Sequence, residues 1–144
     1  MAAKEFSLTI DGYWRDEIKS SIPNHSGVYF VYEGTRNEEK KTVTLQKLIY
    51  IGEAGDVCKR ITEHEKYDDW SKHVRSGNLL YFSTCPVAST DRDRVEAAYI
   101  FKHQPPVNTE HKDSFGFDET TIKSSGSTSH LDTSFTLQRM IKIG

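Results

Sequence analysis

The sequence predicts an α/β (α+β) domain: a small, mainly antiparallel three-stranded sheet flanked by helices, with an extra strand near the C-terminus. Three observations carry this. Two runs rich in β-branched and aromatic residues, 28–32 and 47–52, are joined by a polar, turn-rich segment, the pattern of an antiparallel hairpin. Two later segments combine helix start signals with apolar residues at helical spacing. The resulting order is β-β-α-β-α followed by a tail, with no internal repeat.

Each element has its own signature. Residues 5–22 open strand-like and continue into a short helical piece. Pro23-Asn24-His25-Ser26-Gly27 is a turn cluster, and Val28-Tyr29-Phe30-Val31-Tyr32 is a buried strand. Residues 33–47 hold Arg36, Lys40, Lys41 and Lys47 against Glu33, Glu38 and Glu39, with almost no apolar anchor before Val43. That composition predicts a mobile loop, with 42–45 extending one hairpin arm. The second strand, 47–52, is expected to end at Gly52, where glycine would let the backbone turn. Asp56 is placed to N-cap a helix running to about Tyr67. Gly77-Asn78 is a turn, and 79–85 is a third strand. Thr90-Asp91-Arg92-Asp93 resembles a capping box with Asp in place of Glu. The helix behind it runs through 94–101 and stops near Pro105-Pro106. Residues 124–129 read as a low-complexity linker, and Leu131, Thr133, Phe135 and Leu137 alternate as a last strand. The domain is therefore drawn over 1–123, with a core of about 24–112, and 124–144 as linker and C-terminal strand.

Composition narrows the function classes. The 144 residues suit one domain, and 35% hydrophobic with 28% charged residues is an ordinary globular mix. No apolar run approaches the roughly 20 residues of a membrane span, and the N-terminus lacks a signal-peptide apolar core. Cys58 and Cys85 are the only cysteines, which excludes a disulfide framework or a four-cysteine zinc site. The expectation is a cytoplasmic protein with no membrane partner. A net charge of −2 counts against a strong non-specific nucleic-acid binder, but not against an enzyme with a local basic patch.

Six positions stand out by spacing. Gly27-Val28-Tyr29 and Tyr50-Ile51-Gly52 occur in the two hairpin strands, Arg60 lies ten residues past Tyr50, and His64 follows four later. Glu96 sits in the later helix, and Asn108 follows its proline-rich end. Singly, each has a plain reading: half-buried sheet aromatics, solvated helix charges, a surface histidine, a turn residue. Together, on these element types, they resemble the GIY-YIG nuclease family over about residues 24–112. The resemblance implies a divalent-metal-dependent endonuclease that hydrolyses DNA phosphodiester bonds. Its catalytic residues would be Tyr29, Tyr50, Arg60, His64, Glu96 and Asn108, with Glu96 as ligand of Mg²⁺ (or Mn²⁺) and DNA as the partner; the oligomeric state is left open. It points to Tyr50 as general base with Tyr29 beside it, and the residues themselves do not rank the two. Two departures stand against the pattern: the long 33–47 segment, and Glu53 where repair-type members often carry Lys.

The chemistry of the residues agrees with that use. Phosphodiester hydrolysis needs an activated water and neutralised phosphate charge. Mg²⁺ keeps several waters, so one carboxylate such as Glu96 can hold it. The Arg60 guanidinium is a permanently charged fork suited to phosphate oxygens. A tyrosine serves as base only if its pKa falls well below about 10. His64, spaced one helical turn after Arg60, is expected to share its face and to orient a hydroxyl or shuttle a proton. A second reading is a catalytically silent module of this kind that binds nucleic acid or a protein partner, favoured by the acidic net charge and Glu53. Cys58, His64, Cys85 and His103 match no recognised zinc spacing. His103, His111 and His130 read as surface residues, and Trp14 and Trp70 as packing residues.

Overall fold

The computed structural model describes residues 2–143. In order, the elements are β1 (Lys4–Arg15), a 3-10 turn (Asp16–Ser21), β2 (Gly27–Asn37), β3 (Thr42–Ala54), α1 (Val57–Thr62), α2 (Tyr67–Ser71), β4 (Leu79–Pro86), α3 (Arg92–His103), β5 (Thr120–Gly126) and β6 (Ser134–Leu137). The strands form one six-stranded mixed sheet in the order β3-β2-β4-β1-β5-β6, curled into a half-barrel. The expected three-stranded sheet is therefore incorrect. An antiparallel β3-β2-β4 unit exists, but β1 pairs antiparallel with β4 and parallel with β5, and β6 completes the far side.

Burial explains the two halves of the sheet. On one face, Tyr29, Val31, Ile49 and Phe82 pack with Val57 and Ile61 of α1, Trp70 of α2 and Ile22. On the other, inside the curl, Val28, Phe30, Tyr32 and Ile51 meet Val95, Ala98 and Tyr99 of α3, with Phe6, Ile10 and Ile122 from β1 and β5. Strand β2 is covered on both faces, which is why its sequence reads as a continuous apolar run rather than an alternation. Among the described residues, no helix is long and apolar enough to cross a membrane.

Several local expectations need correction. The segment 33–47 is not a loose loop. The ladder continues from Glu33↔Lys47 to Asn37↔Thr42, and Val43 and Leu45 pack against the inner core. Only 38–41 lie outside the strands, tightened by the Asn37 side chain accepting from the Lys40 amide at 3.0 Å. Strand β3 does not stop at Gly52 but runs on to Ala54. The helix opened by Asp56, whose side chain accepts from the Lys59 amide, ends at Thr62, and α2 is a separate short helix. At α3, Asp91 makes no capping hydrogen bond; its carboxylate is paired with Lys4 instead. Residues 124–126 belong to β5 rather than to a linker.

Candidate active site

Strand β3 forms one edge of the sheet, and its outer edge organises the site. An edge strand leaves alternate N–H and C=O groups unpaired. Here they are taken up by the segment after α3. The Val107 amide donates to the Ile49 carbonyl at 3.2 Å. The Asn108 side chain pairs with both backbone groups of Ile51, its Oδ1 accepting at 3.0 Å and its Nδ2 donating at 2.8 Å. The Glu53 backbone N–H faces the Glu96 carboxylate. Asn108 thus acts as a clasp: buried, with its amide used on the strand, it docks the chain that follows it against β3.

That docking closes a cleft of about 220 Å³ lined by Tyr50, Arg60, Glu65, Glu96, Glu110 and His111, among others. The helices come from opposite faces of the sheet. Arg60 belongs to α1 on the outer face, and Glu96 to α3 on the inner face, and they meet around the edge of β3. Four of the six residues singled out from the sequence line this cleft: Tyr50, Arg60, Glu96 and Asn108. Tyr29 and His64 lie behind it, buried. Their rings enclose Tyr50: Tyr29 and Tyr50 have centroids 6.2 Å apart, and His64 stands 5.5 Å from Tyr50 and 6.0 Å from Tyr29.

Gly52 has a role other than turning the chain. It lies directly opposite Tyr29 in the β2–β3 ladder, and a Cβ there would sit 2.3 Å from both Cζ and Oη of Tyr29. The glycine makes room for the phenol, whose hydroxyl end lies against the Arg60 guanidinium.

The electrostatics of the cleft are dominated by burial. Tyr29 is driven above the ordinary tyrosine range by burial first and by Tyr50 second, with Arg60 opposing. Tyr50 is pushed up to about 12 by burial and then by Glu96, again against Arg60. Both phenols hold their protons near neutral pH, so the downward pull expected from Arg60 loses to desolvation. Glu96 is raised to about 8, chiefly by burial, then by the carboxylates of Glu53, Asp93 and Glu110. The Glu53 carboxylate takes the Arg92 guanidinium at 2.6 Å, and its charge still acts on Glu96.

His64 differs from expectation. It lies beyond the end of α1, not on its face. Its Nδ1 accepts from the Lys66 amide at 3.0 Å, and the ring stacks 4.5 Å from Trp70. Burial, then Arg60, lowers it to about 4, so it is neutral at pH 7, and its buried Nε2 has no hydrogen-bond partner among the described residues. Arg60 is held by Glu65 in a bidentate pair at 2.7 and 2.9 Å. Glu65, Glu110 and His111 were not singled out from the sequence, and His111 was read as surface. The only signal for the last two is proximity to Asn108, which fixes their segment.

Among the described residues, no three His, Cys, Asp or Glu side chains converge to cage a metal ion. The donor chemistry instead fits a hard cation held openly. Glu96 is a half-buried carboxylate destabilised as an anion by three others, with His111 Nε2 3.9 Å from its Oε1 and Glu110 sharing its cleft. No family model, curated protein or solved structure matches the chain.

Proposed function

We propose that the chain is a divalent-metal-dependent endonuclease that hydrolyses DNA phosphodiester bonds at this cleft, as a member of the GIY-YIG nuclease family. One observation carries the reading: Tyr50, Arg60 and Glu96, from three elements and both faces of the sheet, line one small cleft. A packed core has no need to bring a guanidinium, a phenol and a carboxylate crowded by other carboxylates together, whereas phosphoryl chemistry does.

Each residue has a task. Glu96, with Glu110 beside it, would hold a Mg²⁺ or Mn²⁺ ion; such an ion supplies positive charge to phosphate oxygens and makes bound water more acidic. Arg60 exchanges the exposed Glu65 carboxylate for a phosphate oxygen pair, which its fork suits equally well. Tyr29 steadies that guanidinium from behind, locked over Gly52. Tyr50 presents its hydroxyl to the cleft and, protonated at neutral pH, orients water or phosphate by hydrogen bonding. In the reaction, water oxygen bonds to phosphorus and one bridging P–O bond breaks. The leaving oxygen takes up a proton as the attacking water loses one. Next to Arg60 the surface continues into a second depression lined by Ala54, Asp56, Lys59 and Glu63.

The alternative is a module that binds DNA without cutting it, and one observation favours it: Arg60 is already satisfied by Glu65. A plasmid-nicking assay with and without Mg²⁺ separates the readings. The nuclease reading expects Mg²⁺-dependent nicking, abolished by Glu96→Ala. Arg60→Ala should cut by orders of magnitude less while stability moves by no more than about 0.5 kcal/mol, as for an exposed ion pair. DNA binding by a folded chain that never nicks would leave only the binding module.

A further inference from the structure

We propose that the pocket at the tip of the β2–β3 hairpin is a second ligand site, one that takes a nucleoside phosphate. The inference does not depend on the cutting reaction. The pocket is separate from the cleft at the β3 edge: Arg36 is seven positions from Tyr29 and Val43 seven from Tyr50, about 23 Å along the strands at ~3.3 Å per residue.

The cavity holds about 360 Å³, within the range of small-molecule sites. Its walls are Tyr13, Arg15, Arg36, Lys41, Val43 and Tyr81, with Ile18 beside them. The register explains the assembly. Arg15 opposes Tyr81 across β1 and β4, and Arg36 opposes Val43 across β2 and β3. Gly34 leaves the floor to the Tyr81 ring: a Cβ there would come within 2.7 Å of that ring and 2.8 Å of Val43 Cγ2. Tyr13 is fixed in place, its hydroxyl accepting from the Ser129 amide at 2.9 Å and its ring set edge-on to Tyr32.

Charge gives the pocket its preference. Arg15 and Arg36 pair with two carboxylates, Glu17 and Glu38, and Lys41 adds a third cation to the wall. Those carboxylates are 62% and 74% exposed, so they form rim pairs that water screens and a better acceptor displaces. The Arg15 Nε is shut off from water against the Glu17 carboxylate, so Glu17 holds both guanidinium groups over the pocket. Burial raises the Tyr81 phenol, and Arg36 and Arg15 draw it down against Glu38 and Glu17, so both ion pairs lie near its hydroxyl.

Two guanidinium forks suit phosphate oxygens. The phenols and the Val43 and Ile18 side chains suit the flat, apolar face of a base or a sugar. A bare phosphate would leave the aromatic wall unused, and an apolar ligand would gain nothing from the three cations. A nucleoside phosphate satisfies both, either as a free nucleotide or as one unit of a nucleic-acid strand.

The test is calorimetric titration of the intact chain with AMP, adenosine, inorganic phosphate and a short thymidine oligonucleotide. AMP should bind, with adenosine and phosphate each weaker by at least about tenfold, because each uses half the site. Arg36→Gln and Lys41→Gln should each weaken AMP by about tenfold or more, and Arg60→Ala should leave AMP binding unchanged. Tighter binding of the oligonucleotide with the same sensitivity to Lys41→Gln assigns the site to a strand; equal or weaker binding assigns it to the free nucleotide. The proposal is overturned if AMP does not bind, if phosphate binds as tightly as AMP, or if folded Arg36→Gln and Lys41→Gln proteins bind AMP as the parent does. AMP binding that survives a failed nicking assay would sink the nuclease reading alone.

Discussion

Replacing Gly52 by alanine tests the packing that holds the candidate site together. The added Cβ would lie 2.3 Å from Tyr29 Cζ and Oη and 2.8 Å from Cε1. Carbon contacts settle near 3.5 Å, so the phenol must retreat by about 1 Å. It has little room: the ring is 1% exposed and is boxed by Tyr50 and His64. Overpacking of this kind costs about 1–3 kcal/mol. Urea unfolding should show it as a lower midpoint with an unchanged slope. The diagnostic is a double-mutant cycle with Tyr29→Ala. Without the ring, Gly52→Ala should be neutral or should stabilise by up to about 1 kcal/mol, because alanine restricts the unfolded chain. The coupling energy should therefore be about 1–3 kcal/mol. Gly27→Ala provides the contrast: its Cβ would meet the Cys85 carbonyl oxygen at 2.0 Å, a backbone atom that cannot swing aside, so it should cost more and no side-chain deletion should rescue it. Under the nuclease reading, Gly52→Ala also displaces the hydroxyl against Arg60 and should slow nicking by about 100-fold. Additive effects of Gly52→Ala and Tyr29→Ala would refute the steric account.

Glu33 is held to about 2, below its ordinary 4.5, by hydrogen bonds from Asn78 and from the backbone and side chain of Arg75, which outweigh its burial. A depressed folded pKa contributes stability above pH 4.5 that is lost as pH falls toward 2. Glu33→Gln should therefore be less stable than the parent at pH 7, by about 1–3 kcal/mol, and the gap in Tm should narrow by pH 3. Asn108→Ala leaves the Ile51 N–H and C=O without their partner and should cost about 1–3 kcal/mol. Hydrogen exchange at the Ile51 amide should then speed up; unchanged protection would show that the clasp is dispensable. Glu65→Gln frees the Arg60 fork at little stability cost, since Glu65 is 63% exposed. DNA binding read by fluorescence anisotropy should tighten, and an unchanged Kd would mean that Arg60 does not hold phosphate.

Residue identity and spacing alone disclosed the hairpin, the third strand, the α3 helix and six positions of interest. These features rest on local physics: β-branched and aromatic runs, an Asp placed to cap α1, and prolines that end a helix. The second half of the sheet was not legible. Strand β5, Thr-Thr-Ile-Lys-Ser-Ser-Gly, carries one large apolar residue, and its Thr120 and Ile122 become buried only because β1 lies alongside in parallel register. Nothing local to 120–126 encodes that partner. The segment 33–47 misled for a related reason. Its polar surface suggested disorder, while Val43 and Leu45 find a core that distant strands supply.

The site divides along the same line. The sequence by itself determined which chemical groups are present: two phenols, a guanidinium, a carboxylate and an amide at fixed spacings. Tertiary structure decided what each one can do. Asn108 spends its amide on the edge of β3, His64 is sealed neutral against Trp70, Arg60 is lent to Glu65, and Glu96 becomes a strained carboxylate reaching around the sheet edge from the opposite face. Spacing along a chain is a covalent property, whereas burial and charge neighbourhood are set by contacts between residues tens of positions apart, and it is these that fix protonation and availability.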